Sequence, residues 1–205
     1  YLFTATMRAD GSSKFGPNNH WGYFPAAAFA WRITDEPFMK GATDWLTNLK
    51  FRLSYGTSGA DNISSSLWHE TWRSSNGVWN GEPVQYYKPS GLKENPDLKW
   101  ETTISRNVGF DFGFLNRING TLDFYWNTTK DLLMRQEIDS STGYSYQYKN
   151  IGQTSNKGIE LALNASIVRS KDFNLNMNLT YNMNFNKIDK LQNGKTLYGS
   201  GWASA

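Results

Sequence analysis

Residues 173–185 constrain this chain more than any other stretch. One parity reads Phe173, Leu175, Met177, Leu179, Tyr181, Met183 and Phe185; the other reads Asn174, Asn176, Asn178, Thr180, Asn182 and Asn184. Strict period-two alternation is the signature of a β-strand with one apolar and one polar face. At about 3.3 Å per residue such a strand spans roughly 40 Å, about twice the usual length of a globular strand.

The pattern recurs along the chain. Leu49, Phe51, Leu53 and Tyr55 alternate with Lys50, Arg52 and Ser54, and Val108, Phe110, Phe112 and Phe114 alternate with Asn107, Gly109, Asp111 and Gly113. Ile118, Leu122, Phe124 and Trp126 face away from Asn119, Thr121, Asp123 and Tyr125, as Ile159, Leu161, Leu163, Ala165 and Ile167 do from Glu160, Ala162, Asn164 and Ser166. Further strands are predicted over 1–9 and 24–33, giving about seven in all and no long helix.

Short and long links alternate between these strands. Residues 115–117 and 169–172 are tight, 34–47 is the longest of the short set, and 10–23, 57–99, 136–148 and 186 onward are long. Short turns at one end and long loops at the other characterise outer-membrane barrels, whose short turns are periplasmic. This assignment directs strands 100–114 and 149–167 downward. In both, the apolar parity becomes continuous only over about the last nine residues, the length a tilted strand needs to cross the apolar band. Above that band the same parity carries Arg106 and Lys157, at or above headgroup level, while Trp126 and Tyr55 fall near the upper interface and Trp31 near the lower.

Composition removes the alternatives. The longest uncharged apolar run, Pro25–Trp31, is far shorter than the roughly 20 residues of a spanning helix, and mean hydropathy is −0.62. A barrel is compatible with that average, because its strands alternate. Cysteine is absent, and the two histidines, His20 and His69, lack ligand spacing, so neither a metal nor a cofactor is expected. A net charge of +3 from scattered basic residues gives no nucleic-acid footprint. The chain opens on a strand-like run and ends without a cap signal, so both ends read as cut from something longer. Seven strands cannot close a bacterial barrel, and an open edge in lipid leaves backbone groups unpaired, so strands outside this sequence are expected to complete the wall.

An ordered series of phrases resembles the SusC/RagA family of TonB-dependent outer-membrane transporters. It runs from Tyr1-Leu2-Phe3-Thr4-Ala5-Thr6 and Asp10-Gly11-Ser12-Ser13-Lys14-Phe15-Gly16-Pro17 through Trp21-Gly22-Tyr23-Phe24-Pro25-Ala26, Ala30-Trp31-Arg32-Ile33 and Glu36-Pro37-Phe38. It continues with Leu49-Lys50-Phe51-Arg52-Leu53-Ser54-Tyr55-Gly56, Asn95-Pro96-Asp97-Leu98-Lys99-Trp100-Glu101, Gly109-Phe110-Asp111, Lys130-Asp131-Leu132-Leu133 and Asn156-Lys157-Gly158-Ile159-Glu160-Leu161. The resemblance covers nearly the whole chain. It implies an all-β fold, a part of a transmembrane antiparallel up-and-down barrel of about 22 strands with a plug in its lumen. It further implies import of oligosaccharides or peptides across the outer membrane, a SusD-like surface lipoprotein as lid, and energy from the TonB complex. Residues 1–205 would be a later part of the barrel, with the plug, the TonB-contacting segment and the remaining strands outside them.

The long link 57–99 holds the candidate substrate contacts: Trp68, Trp72, Trp79, Tyr86 and Tyr87, with Asp61 and Asn62. Aromatic faces suit sugar rings or peptide side chains, and carboxylates and amides suit hydroxyls and amines. The same aromatics could instead pack the loop. Asp111, Asp123, Tyr125 and Glu160 fall on the luminal parity. The competing readings are a soluble carbohydrate-binding β-sandwich, and a glycoside hydrolase using Glu70 and Glu82 as an acid/base pair. No nucleophile elbow or phosphate loop accompanies the latter, and no enzymatic activity is expected.

Overall fold

The computed structural model describes residues 1–191. Its strands are β1 (Leu2–Gly11), β2 (Trp21–Arg32), β3 (Leu46–Ala60), β4 (Trp72–Trp79), β5 (Glu82–Pro89), β6 (Leu92–Lys93), β7 (Glu101–Phe114), β8 (Ile118–Glu137), β9 (Tyr146–Arg169) and β10 (Asn174–Lys190). Seven of them form one antiparallel meander in the order β1-β2-β3-β7-β8-β9-β10. β4 and β5 make a separate hairpin within the β3–β7 connection, and β6 adds a short parallel pairing to β9.

Cross-strand register separates two faces. Phe3, Phe29, Leu53, Val108, Phe124, Ile159 and Met183 are successive partners across all seven strands, so one face carries an unbroken apolar row. One residue further along, Thr4, Ala28, Ser54, Asn107, Tyr125, Gly158 and Asn184 make the corresponding row of the other face. Among the described residues no second sheet lies on the apolar face, where Phe3 is 72% and Leu53 44% exposed. A β-sandwich would cover that face with its partner sheet. A barrel wall leaves it to lipid.

The short-link end is built from local chemistry. At Leu115 and Asn116 the backbone is left-handed, with φ of 53° and 51°, and Arg117 N–H donates to Phe114 O at 2.9 Å. Two left-handed residues in succession give the turn whose twist matches its flanking strands. Residues 33–45 fold into two 3₁₀ turns, Ile33–Asp35 and Pro37–Met39, with Pro37 at the first helical position. The Glu36 carboxylate accepts the Trp31 indole N–H at 2.8 Å, and Trp45 stacks on Phe114 with centroids 6.0 Å apart.

Strands run further toward the long-link end than alternation predicts. β3 continues to Ala60 and β8 to Glu137, while β9 begins at Tyr146, so the link expected over 136–148 shrinks to 138–145. β1 and β2 similarly shorten the link expected over 10–23 to 12–20. β10 continues to Lys190, and most of the link expected from 186 onward lies outside the described residues. Alternation reports one-sided burial rather than pairing; in the upper halves of β8 and β9 Thr, Gln, Asn and charged residues interrupt the apolar parity, so it does not mark their pairing. A bulge at Asp131, with φ of 58°, separates the two halves of β8.

Candidate functional site: the luminal wall and its crown

The polar face of the meander carries a charge ladder. Lys50 and Arg52 on β3 reach Asp111 on β7 at 3.3 and 2.8 Å, and the Arg52 guanidinium extends past β7 to Asp123 on β8 at 2.9 Å. Gly109 makes that crossing possible: it pairs with Arg52 on one side and Asp123 on the other, and a Cβ there would lie 2.8 Å from the guanidinium carbon. The same device recurs at Gly158, over which Tyr125 reaches to donate to Asn184 Oδ1 at 3.2 Å. Asp111, Asp123, Tyr125 and Glu160 thus share the face predicted for them.

Above this wall the long links pack into a crown with its own core. Phe15 and Leu98 are fully buried, Leu67 and Leu92 nearly so, and Ile63, Trp100, Leu133, Tyr146 and Tyr148 pack around them. Loop 12–20, the β3–β7 connection and the tops of β8 and β9 all contribute, so the extended strands serve as the surface on which the loops fold. Burying these side chains orders a connection that would otherwise be too long to hold one conformation.

Hydrogen bonds fasten the connection at defined points. Asn95 donates to Tyr148 O at 2.7 Å and accepts from Asp97 N–H at 3.2 Å, while Leu98 N–H closes the turn on Asn95 O at 3.3 Å, with Pro96 at the second turn position. Asn150 substitutes for a paired backbone: its amide donates to Lys99 O at 2.8 Å and to Asp131 O at 2.7 Å, and its carbonyl accepts from Lys99 N–H at 3.1 Å. Gly16 approaches so closely that a Cβ there would lie 2.6 Å from Pro96 O. The phrase Asn95–Trp100 is therefore the clip joining two loops to the wall.

Asp61 belongs to this clip system. It accepts the Ser12 hydroxyl at 2.8 Å and faces the Lys14 ammonium at 3.5 Å. The Ser12 hydrogen bond, followed by the Lys14 charge, holds its carboxyl below the usual range. Similarly, Tyr144 donates to Glu70 at 2.9 Å, and that bond raises the phenol pKa.

Residues 1–203 match the family model described as "TonB dependent receptor-like, beta-barrel". The chain belongs to this family. TonB-dependent receptor SusC of Bacteroides thetaiotaomicron is 41% identical over 199 residues, which cover 95% of this chain and 20% of that protein. TonB-dependent receptor P3 of Formosa agariphila is 35% identical over 201 residues, covering 97% of this chain and 20% of the relative. The RagAB peptide importer in its open-open state superposes with a TM-score of 0.85 at 29% identity, over 98% of this chain and 22% of that one. The chain thus spans about one fifth of the length of the curated relatives it matches. It is barrel wall of a SusC/RagA-type TonB-dependent receptor, an outer-membrane protein, with its apolar face toward lipid and its charge ladder toward the lumen.

Within this receptor the seven residues predicted to touch substrate do not form one cluster. Trp68 is half-buried beside the crown core, its ring edge-on to His69 at 4.9 Å. Asp61 is engaged internally, and Asn62 is exposed. The remaining four lie on the β4–β5 hairpin, split between its faces: Trp72 and Tyr87 on one, Trp79 and Tyr86 on the other. All four project into solvent, from 44% exposed at Tyr86 to 72% at Trp79. Asn80 and Gly81, with φ of 52° and 84°, turn the hairpin. This Asn-Gly pair is the signal by which the hairpin, absent from the prediction, is readable in sequence. Glu82 sits at the hairpin tip opposite Trp79, whereas Glu70 precedes Trp72 at the base and accepts from Tyr144; β4 between them spans about 23 Å. That separation rules out the acid/base pair, whose carboxyls stand no more than about 9.5 Å apart.

Proposed function

We propose that the receptor imports an oligomeric nutrient, an oligosaccharide or a peptide, and that the β4–β5 hairpin contacts it at the extracellular mouth. The observation carrying this reading is the exposure of Trp72, Trp79, Tyr86 and Tyr87 on a hairpin rooted in a packed crown. Exposed aromatics on a rigid base present large contact area at low entropic cost. The hairpin has two aromatic faces, so one can meet substrate while the other meets a SusD-like surface lipoprotein closing the mouth. Energy enters from the TonB complex through parts of the receptor outside this chain. The luminal ladder lines the route or seats the plug, and residues 61–100 act as one extracellular unit of the barrel domain.

The test uses the full-length receptor with its lipoprotein. Trp72→Ala/Tyr87→Ala and Trp79→Ala/Tyr86→Ala are compared for equilibrium binding of oligosaccharide and peptide libraries, and separately for lipoprotein retention. Loss of substrate binding in one pair, by about tenfold for one or two lost aromatic contacts, supports the reading. Wild-type binding and retention in both pairs would remove the hairpin from the transport site.

A further inference from the structure

Two cations on the lipid face of this wall lack the carboxylate partners that its luminal ladder has. On the luminal side and in the crown, Lys50, Arg52, Lys99 and Lys14 each meet an aspartate within 3.5 Å. On the lipid side, Arg106 and Lys157 pair with no carboxylate among the described residues. Arg106 donates only to the Thr128 hydroxyl, at 3.4 Å, and Lys157 is exposed. Asp189, higher on the same face, is engaged by Gln153, Ser155 and Lys187.

These two cations flank Trp126. Lys157 is its cross-strand partner on β9, and Arg106 follows the Asn107–Tyr125 pair on β7. An open apolar groove, lined by Phe124, Trp126, Ile159 and Phe185, runs on this face with Lys157 at its rim. Lys157 stands twelve residues above the end of β9 at Arg169, and Arg106 eight above the end of β7 at Phe114. With about 3.3 Å per residue and a tilt near 40°, these heights are roughly 30 and 20 Å, bracketing the top of an apolar band about 25 Å tall. Lys157 therefore stands at the headgroup level of the outer leaflet, and the long side chain of Arg106, rooted a few ångströms lower, reaches toward that level beside an open apolar slot.

We propose that this surface docks a phosphate-bearing amphiphile of the outer leaflet, its acyl chain in the Phe124–Phe185 groove and its phosphate held between Lys157 and Arg106 over the Trp126 ring. Two unpaired cations on a lipid-facing wall fit a fixed anion, and long basic side chains at this height reach the headgroup level with their stems on apolar surface. The proposal rests on the barrel orientation and is independent of what the receptor imports.

The experiment uses the full-length receptor in neutral detergent and native mass spectrometry. The probes are a lipid A carrying one phosphate, the same glycolipid without phosphate, and inorganic phosphate as competitor. Wild type is expected to retain the phosphorylated lipid selectively, with retention falling about fivefold for Lys157→Gln and roughly 25-fold for Arg106→Gln/Lys157→Gln. Lys157→Arg keeps it, and Ile159→Trp, which fills the groove without changing charge, weakens it. Should the double variant fail to fold, the Lys157→Gln and Lys157→Arg pair gives the reading. Equal retention of the phosphate-free lipid, an unchanged Lys157→Gln, or full displacement by inorganic phosphate would overturn the proposal.

Discussion

Gly109→Ala tests whether the luminal ladder depends on an empty position in the middle strand. The added Cβ would meet the Asp123 carboxylate and lie 2.8 Å from both Cζ and Nη2 of Arg52, so the guanidinium must leave its path across β7. Displacement removes the 2.9 Å bond to Asp123, whose side chain is 18% exposed, and leaves that carboxylate on the wall without its cation. Losing a hydrogen bond between charged groups costs about 1.5–3 kcal/mol, and the lower half applies here because Arg52, 31% exposed, keeps its bond to Asp111. The expected cost is therefore about 2 kcal/mol. It is measured by urea unfolding of the full-length receptor in detergent, as a double-mutant cycle with Arg52→Ala. If the glycine serves only to let Arg52 pass, Gly109→Ala in the Arg52→Ala background should cost much less, a coupling of at least about 1 kcal/mol. Strictly additive costs, or a Gly109→Ala receptor as stable as wild type, would refute this reasoning.

Two further predictions concern the crown. Leu98→Ala empties a fully buried site and should destabilise the crown by about 2–5 kcal/mol, exposing residues 61–100 to limited proteolysis while the wall stays resistant. Unchanged cleavage would show that the hydrogen-bond clip holds the loop without Leu98. Asp61, its carboxyl held below the ordinary value of 3.8 chiefly by Ser12 and then by Lys14, contributes stability above that value, lost as pH falls through the lower folded value. Amide exchange of residues 12–20 should therefore accelerate below about pH 4, and Asp61→Asn should accelerate it already at pH 7 and flatten the profile. An acid response equally steep in Asp61→Asn would assign the effect to another group.

The wall was readable because lipid imposes a one-sided rule on every residue that crosses it. Phe173–Phe185 obeys that rule without exception, and the register places Met177, Leu179, Tyr181 and Met183 beside Ala165, Leu163, Leu161 and Ile159 of β9. The rule stops where lipid stops, which is why the pairing of Thr128–Glu137 with Tyr146–Ser155 carried no periodic signal. The crown was harder for a different reason. Its core comes from single residues such as Phe15, Leu67, Leu92 and Leu98, distant in sequence and each surrounded by polar neighbours. No local window records that they meet. The aromatics of 57–99 were visible as a group, but their division between a half-buried Trp68 and two hairpin faces depends on the Asn80-Gly81 turn, which sets the register of the hairpin.

The same economy of side chains governs both faces of the wall and links structure to use. Inside, small residues under long ones let polar groups reach across a strand: Arg52 over Gly109 and Tyr125 over Gly158 satisfy groups that water alone would otherwise serve. A wall bonded this way presents a fixed polar pattern to the lumen, because moving one side chain breaks bonds on two neighbouring strands. Outside, Phe112 lies over Gly120 in the same manner, but with only dispersion at stake, so the lipid face gains smoothness instead of pattern. Above the lipid the strands lose this constraint and become a bracket for loops, with Asn95 and Asn150 completing hydrogen bonds that a sheet edge would leave open. The aromatic hairpin extends from the connection that Asn95, Asn150 and the buried Phe15, Leu67, Leu92 and Leu98 fasten to the wall. Exposed rings on an unanchored loop would pay the ordering entropy at each encounter, a cost that such a base lowers.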